Sequence, residues 1–348
     1  MHFALNEDQI AVRDMAREFA AEKIAPHAIR WDEEKHFPVD VMREAAALGI
    51  GGVYIRDDVG GSGLSRVDAA LIFEALAMGC PTVSAFISIH NMASWMIDAF
   101  GNEAQRHQWL PKLCTMELLA SYCLTEPGSG SDAAALRTRA VRDGDMFRVK
   151  GRKIWTTQAH QSRWCTLYAR TDPDAPKHRG ISCLILDLES PGVTIEPIRM
   201  ASISDETFCE VILDDVEIPA DSLLGPANGG WQVAMSSLNH ERQMIWIMNW
   251  VEIQRGLSSV RDSQATHDDY ASGEVFAELG SLLADAEALR ATGYRALNNE
   301  LAGRPSPEAD ILKLLGSQTL QRVWELSAAA AGPVRSTTPI CSSNARTP

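Results

Sequence analysis

The stretch Tyr122-Cys123-Leu124-Thr125-Glu126-Pro127-Gly128-Ser129-Gly130-Ser131-Asp132 stands where the chain changes character. Upstream, residues 1 to about 120 read as helices, because stop and start signals bracket apolar positions at helical spacing. Asn6 and Gln9 have capping-box spacing ahead of the stripe Val12, Met15, Ala16 and Phe19, and that helix reads to about Ala25, before Pro26. Pro38 and Gly49 bracket a helix over 39–48. Gly60, Gly61 and Gly63 mark a loop before a helix from about 66 to 78, and a further helix, about 83 to 100, closes at Gly101. Downstream, short β-branched and aromatic runs alternate with turn signals such as Asp143-Gly144 and Ser190-Pro191-Gly192, which predicts a small antiparallel β domain. Its strands read as 119–125, 147–150, 164–169, 181–188, 193–198 and 208–213. Helical periodicity returns near Gly230, with stripes through Leu282, Ala286, Leu289 and Leu297 and through Leu312, Leu315, Val323 and Leu326. The fold class is therefore α+β: an N-terminal helical domain at 1–120, a central β-barrel-like domain at 121–225, a C-terminal helical bundle at 226–332, and a tail at 333–348 that reads as disordered.

The 348 residues carry 32 Lys and Arg against 46 Asp and Glu, a formal charge of -14, which argues against a nucleic-acid partner bound through phosphates. Cys80, Cys114, Cys123, Cys165, Cys183, Cys209 and Cys341 are scattered without a C-x-x-C, so neither a zinc ribbon nor a disulfide framework is indicated, and a reducing, cytoplasmic location is expected. No membrane span is expected, since 18 consecutive apolar residues occur nowhere. Gly128-Ser129-Gly130-Ser131-Asp132-Ala133 partly matches a dinucleotide fingerprint, but the following stretch reads as strands rather than a βαβ unit. His240-Glu241 invites a zinc-protease reading that fails because position 244 is Met. No metal site is expected.

The order helical, β, helical, with Y-C-L-T-E-P-G-S-G-S-D at the first junction, resembles the flavin-dependent acyl-CoA dehydrogenases over about residues 1–332. The resemblance implies FAD as cofactor, with contacts from Tyr122, Leu124, Thr125, Gly130 and Ser131. Hydroxyls of Thr125 and Ser131, and backbone left bare beside glycines, are suited to a ring edge and phosphates. Trp155, Thr156 and Thr157 in Lys153-Ile154-Trp155-Thr156-Thr157 resemble the family's second flavin-facing segment. The implied activity is α,β-dehydrogenation of an acyl-CoA thioester to a trans-2-enoyl-CoA, a base taking the C2 proton while hydride passes from C3 to flavin N5. Glu241 in Leu238-Asn239-His240-Glu241-Arg242 falls where one branch of the family places that base; Asn239, Arg242 and Ser131 match substrate-contacting positions. Partners implied are the acyl-CoA, an electron-transfer flavoprotein and further copies of the chain in a dimer or tetramer.

Residues 1–133 look most like the isobutyryl-CoA dehydrogenase branch, through FPVDVMREAAALGIGGVYI at 37–55, DVGGSGLSR at 58–66, FEALAMGC at 73–80 and ISIHNMASWMIDAFGNE at 87–103. The stretch 286–333 resembles a different bacterial branch, some of whose members act on steroid side chains or on long and dicarboxylic acyl groups. The family runs several tens of residues beyond the point where this chain becomes its Ser, Thr and Pro rich tail, so a truncated C-terminus is expected. The family's Arg-x-x-Phe-Gly stretch is not evident around 261–276. Weak flavin retention is the corresponding expectation, each missing donor to a charged phosphate being worth about 1.5 to 3 kcal/mol. Two alternatives stay open: a catalytically weak or silent subunit of the same family, and a flavin-dependent acyl-CoA oxidase.

Overall fold

The computed structural model describes residues 4–200, 207–265, 273–304 and 306–331. The tail at 333–348 and part of 261–276 lie outside the described residues. Helices α1 (Glu7–Phe19), α2 (Ala28–Glu34), α3 (Val39–Ala47), α4 (Arg66–Gly79), α5 (Pro81–Phe100) and α6 (Glu103–Cys114) come first. The side chains of Asn6, Ser65 and Asn102 each accept a backbone N–H three residues on, so α1, α4 and α6 start on reciprocal capping boxes. The helix expected to reach Ala25 ends as regular α-helix at Phe19 and continues as a π turn over Ala20–Ile24. A left-handed Gly49, at φ 84°, ends the α3 region as its sequence implies.

Eight strands follow among the described residues: β1 (Ala120–Cys123), β2 (Arg139–Asp143), β3 (Met146–Thr157), β4 (Trp164–Arg170), β5 (Ile181–Asp187), β6 (Val193–Pro197), β7 (Phe208–Pro219) and β8 (Leu223–Leu224). They form one sheet in the order β6-β7-β3-β2-β4-β5-β8, with β1 attached to β4. The wholly antiparallel expectation is corrected here: β1 runs parallel to β4, and β2 meets β4 in parallel through Arg139 and Arg170. The chain enters the sheet from α6 and returns to β4 only after the β2–β3 hairpin, so β1 and β4 need not be antiparallel. The expected strand 147–150 is also too short. β3 instead runs on from Lys150 through Thr157, with Arg148, Lys150 and Arg152 pointing outward onto acidic partners on β2 and β7. Their alternates Phe147 and Val149 pack inside.

Helices α7 (Gly230–Arg242), α8 (Ile245–Ala265), α9 (Gly273–Leu301) and α10 (Glu308–Ala331) complete the fold. One apolar cluster joins α1, α3, α4 and α5 to α8, α9 and α10; a second, through Met96, Ile97, Leu110, Leu124, Tyr168, Ile185 and Val233, seats α5, α6 and α7 on the sheet. A third fills the β region. His90 joins helix to strand: the Ala120 N–H donates to its Nδ1 at 3.1 Å, leaving Nε2–H to donate to the Leu113 carbonyl at 2.9 Å. Burial pushes this imidazole down to about 4, so it is neutral at physiological pH.

Two glycines of α9 should respond oppositely to alanine. A Cβ on Gly293 would sit 2.2 Å from the Trp246 ring, whereas one on Gly280 meets nothing within 4 Å. In urea melts Gly293→Ala is expected to destabilise by about 1 to 3 kcal/mol, and Gly280→Ala to stabilise by about 0.5 to 1 kcal/mol. Equal effects would mean that α9 does not pack on α8 as described.

Candidate active site

The two motif segments meet through one buried ion pair. Lys153 is fully buried on β3, and its Nζ donates to Glu126 Oε1 at 2.8 Å and to the Leu124 carbonyl at 3.0 Å. The other donors to the Glu126 carboxylate are the backbone N–H groups of Arg137 at 2.6 Å and Thr138 at 2.8 Å. A further bond runs from the Ile154 N–H to the Thr125 carbonyl at 2.9 Å. Burial alone would push the Glu126 carboxyl up, but Lys153 and these donors carry it below the usual carboxylate range. Lys153 is itself pulled below the ordinary lysine value, because burial outweighs the attraction of Glu126. The ionised Glu126 carboxylate is thus matched by the Lys153 ammonium and two backbone donors.

Just past Lys153 the pairing of β3 with β7 shifts register between Lys153 and Thr156, and Trp155 adopts φ 61°. A left-handed backbone is strained for a bulky side chain. Here it aims the indole away from the sheet core, 49% exposed and edge-on to Phe208 at 5.8 Å. Trp155 and Thr157 then line a cavity of about 410 Å³ with Tyr122, Phe208 and Glu241. Its remaining wall is Phe73 of α4, Ala85, Ser88, Ile89 and Met92 of α5, and Met244, Ile245, Ile247 and Met248 at and after the turn into α8. The Tyr122 hydroxyl is 2.9 Å from Ser237 Oγ on α7, and burial holds its phenol above the ordinary range, so it stays neutral.

Among the described residues, Glu241 brings the single carboxylate of this wall. Its side chain is exposed by area because the cavity is open to it, yet the surrounding apolar groups raise its carboxyl above the usual value against the pull of Lys313 and Arg242. The upward direction follows from the apolar wall; water in the cavity mouth moderates its size.

Of the residues singled out in the sequence, the structure thus gathers Tyr122, Trp155, Thr157 and Glu241 on one cavity. Leu124 is a core residue whose carbonyl holds Lys153, and Thr156 is buried with its hydroxyl 3.4 Å from Cys123 Sγ, inside the sheet. Thr125 is half-buried beside Ile154, while Gly130 and Ser131 are exposed on the loop beyond. Asn239 and Arg242, exposed at the end of α7, lie off the cavity wall, as helical rotation away from Glu241 requires. Glu126 and Lys153 were missed as site residues. The available signal was a lysine at an inward position of a strand and a glutamate next to proline in a Gly/Ser turn. Among the described residues no cluster of His, Cys, Asp and Glu could hold a metal ion, and no helix is long and apolar enough to cross a membrane.

Comparison with known proteins gives three family matches: acyl-CoA dehydrogenase N-terminal domain at residues 6–117, middle domain at 121–216 and C-terminal domain at 228–334. Mitochondrial isobutyryl-CoA dehydrogenase of Bos taurus is 45% identical over 239 residues, 68% of this chain and 57% of that protein. The corresponding protein of Dictyostelium discoideum is 44% identical over 260 residues, 74% of this chain and 62% of that protein. The matched region is therefore less than two thirds of the length of either relative. The solved structure of butyryl-CoA dehydrogenase from Megasphaera elsdenii superposes with a TM-score of 0.88 at 26% identity, covering 95% of this chain and 90% of that one.

Removing one partner of the central ion pair tests its role as a clamp. Lys153→Met is expected to lower stability at pH 7 by about 3 kcal/mol, because a buried carboxylate loses its counter-charge. Since the folded-state pKa of Glu126 lies below its ordinary value of 4.5, its contribution holds above that pH and is lost as pH falls through and below it. Glu126→Gln should flatten that acid loss. A change under about 1 kcal/mol for Lys153→Met would count against the clamp.

Proposed function

Because the chain belongs to the acyl-CoA dehydrogenase family, we propose that it converts an acyl-CoA thioester to the trans-2-enoyl-CoA, with Glu241 taking the C2 proton. The observation that carries this reading is a carboxylate of raised pKa on a largely apolar wall, sharing one cavity with Tyr122, Trp155 and Thr157. A carboxylate whose pKa is raised by apolar neighbours holds a proton more tightly than one in water, which suits it to take one from C2.

The residues present fit FAD. Gly128 and Gly130 have ordinary negative-side or extended backbone, and a Cβ on either would meet nothing within 4 Å, so internal packing does not account for their being glycine. Bare backbone toward open space suits a group arriving from outside. The exposed indole of Trp155 offers a flat apolar face, and the side chain of Thr157 a hydroxyl on the same wall. FAD, when bound, supplies the acceptor for the C3 hydride. Thr125, Gly130, Ser131, Trp155 and Thr157 would hold it; the Leu124 and Thr156 parts of the earlier expectation reduce to backbone and packing roles. Electron transfer to a flavoprotein partner, assembly with further copies of the chain and a cytoplasmic location belong to the same proposal, supported by family likeness and by the sequence; the two isobutyryl-CoA dehydrogenases compared above are mitochondrial.

The acyl group is proposed to be uncharged. Among the described residues the cavity wall contains no lysine or arginine, so the distal carboxylate of a dicarboxylic acyl chain would lack a cationic partner there, at a cost of several kcal/mol. Isobutyryl-CoA or butyryl-CoA is therefore expected to react at least about 100-fold faster than glutaryl-CoA. Comparable rates with glutaryl-CoA would refute the uncharged pocket.

The base is tested by an anaerobic visible spectrum of the protein with FAD, before and after isobutyryl-CoA, butyryl-CoA or octanoyl-CoA. Bleaching of the flavin band by the wild type, slowed at least about 100-fold in Glu241→Gln, is the expected result. Only the ionised carboxyl accepts a proton, so the rate should fall on the acid side with a midpoint above 4.5, the ordinary glutamate value. No bleaching with any of the three thioesters would overturn the proposed activity, and undiminished bleaching by Glu241→Gln would move the base elsewhere.

A further inference from the structure

We infer that Arg66 is a positioning residue for Glu241, tying the last turn of α7 to the first turn of α4 and so setting where the carboxylate enters the cavity. The inference rests on the reading of Glu241 as the base. Arg66 opens α4, the helix whose Phe73 is part of the cavity wall, and it is only 9% exposed. Its guanidinium reaches 174 residues along the chain to the residue before Glu241: Nη2 donates to the His240 carbonyl at 2.8 Å and Nη1 to His240 Nδ1 at 2.5 Å. At the end of α7, the Asn239 carbonyl accepts from the Gln243 N–H and the Glu241 carbonyl from the Met244 N–H; Arg66 serves the His240 carbonyl between them. A cation at a helix C-terminus also suits the helix dipole.

The imidazole is fixed on its other sides. Nδ1 accepts from Arg66, so the ring proton is on Nε2, and burial together with the neighbouring guanidinium keeps the ring neutral. Trp95 of α5 stacks on it at 4.4 Å with planes 27° apart, Tyr54 meets it edge-on at 4.8 Å, and the guanidinium lies 5.4 Å from the Tyr54 ring centre. His240 is thus held by elements on three sides, and Glu241 follows it on the same helical turn.

Two observations separate this cluster from ordinary core packing. Among the described residues Arg66 makes no ion pair, feeling Glu300 only through space, and Arg66 Nε, His240 Nε2 and Tyr54 Oη are buried without a hydrogen-bond partner. A buried cation and unpartnered polar atoms are unfavourable for folding alone, and such arrangements concentrate where function needs them. The charges that act on Glu241 are those of Lys313 and Arg242, so the role of Arg66 is geometric.

The test compares wild type, Arg66→Met and Arg66→Lys, the last able to keep one of the two contacts. Hydrogen exchange followed by mass spectrometry on the FAD-loaded protein reads the positioning without catalysis. The peptide spanning 238–246 should exchange at least about tenfold faster in Arg66→Met, less so in Arg66→Lys, with the β region unchanged. In parallel, the limiting rate of flavin bleaching by isobutyryl-CoA should fall at least about tenfold in Arg66→Met, while the thioester concentration giving half that rate moves less than about twofold, with partial recovery in Arg66→Lys. Unchanged exchange at 238–246, or faster exchange spread over the whole chain, overturns the inference. A wild type that is never bleached sinks the proposed activity instead, and the exchange result still decides whether Arg66 holds this turn.

Discussion

A lysine ammonium with no exposed surface, bonded to a glutamate carboxylate that is itself almost wholly buried, is the constraint around which the cavity is organised. Two charges taken from water persist only when the donors and acceptors around them are nearly complete. Here the set comprises Glu126, the Leu124 carbonyl, and the N–H groups of Arg137 and Thr138. All these groups lie on the junction loop or the strand that faces it. The pair therefore presses Leu124, Thr125 and Glu126 against β3 immediately before Trp155 turns left-handed, and the position of the indole depends on that contact.

The cavity is a joint product of all three parts of the chain. The sheet contributes Tyr122, Trp155, Thr157 and Phe208, α4 and α5 contribute an apolar side, and the α7–α8 turn contributes Glu241 and two methionines. Glu241 therefore shares its cavity with residues as distant in sequence as Phe73 and as Phe208. Arg66 and Phe73 share α4, so one helix both walls the cavity and grips the turn that carries Glu241. The loop carrying Gly128 and Gly130 contributes differently, through backbone left open toward solvent.

Much of the fold could be read before any coordinates, because helix caps and periodic stripes are local. Asn6 and Gly49 act where their spacing placed them, and the helices resume at Gly230. What escaped reading was non-local. Strand β3 was cut short at Lys150 because charged residues lower strand propensity; their outward ion pairs to β2 and β7 compensate only once those strands are beside them. The parallel β1–β4 pairing likewise depends on neighbours distant in sequence. At the site, Glu241, Tyr122, Trp155 and Thr157 were legible through a family likeness, whereas Glu126 and Lys153 carry no local mark of pairing.

By itself, the amino-acid sequence determined the helix, sheet, helix order, the junction loop with its glycines, and the residue types that point to acyl-CoA chemistry. These follow from periodicity, capping and a long contiguous motif, all set within a few residues of one another. Only the tertiary structure decided that Lys153 turns inward to Glu126, that Leu124 and Thr156 are buried, that Asn239 and Arg242 lie off the cavity wall, and that Arg66 reaches His240. Each depends on burial and on a partner far along the chain, and the energy of a charge or a polar atom is fixed by what surrounds it after folding rather than by its neighbours in sequence.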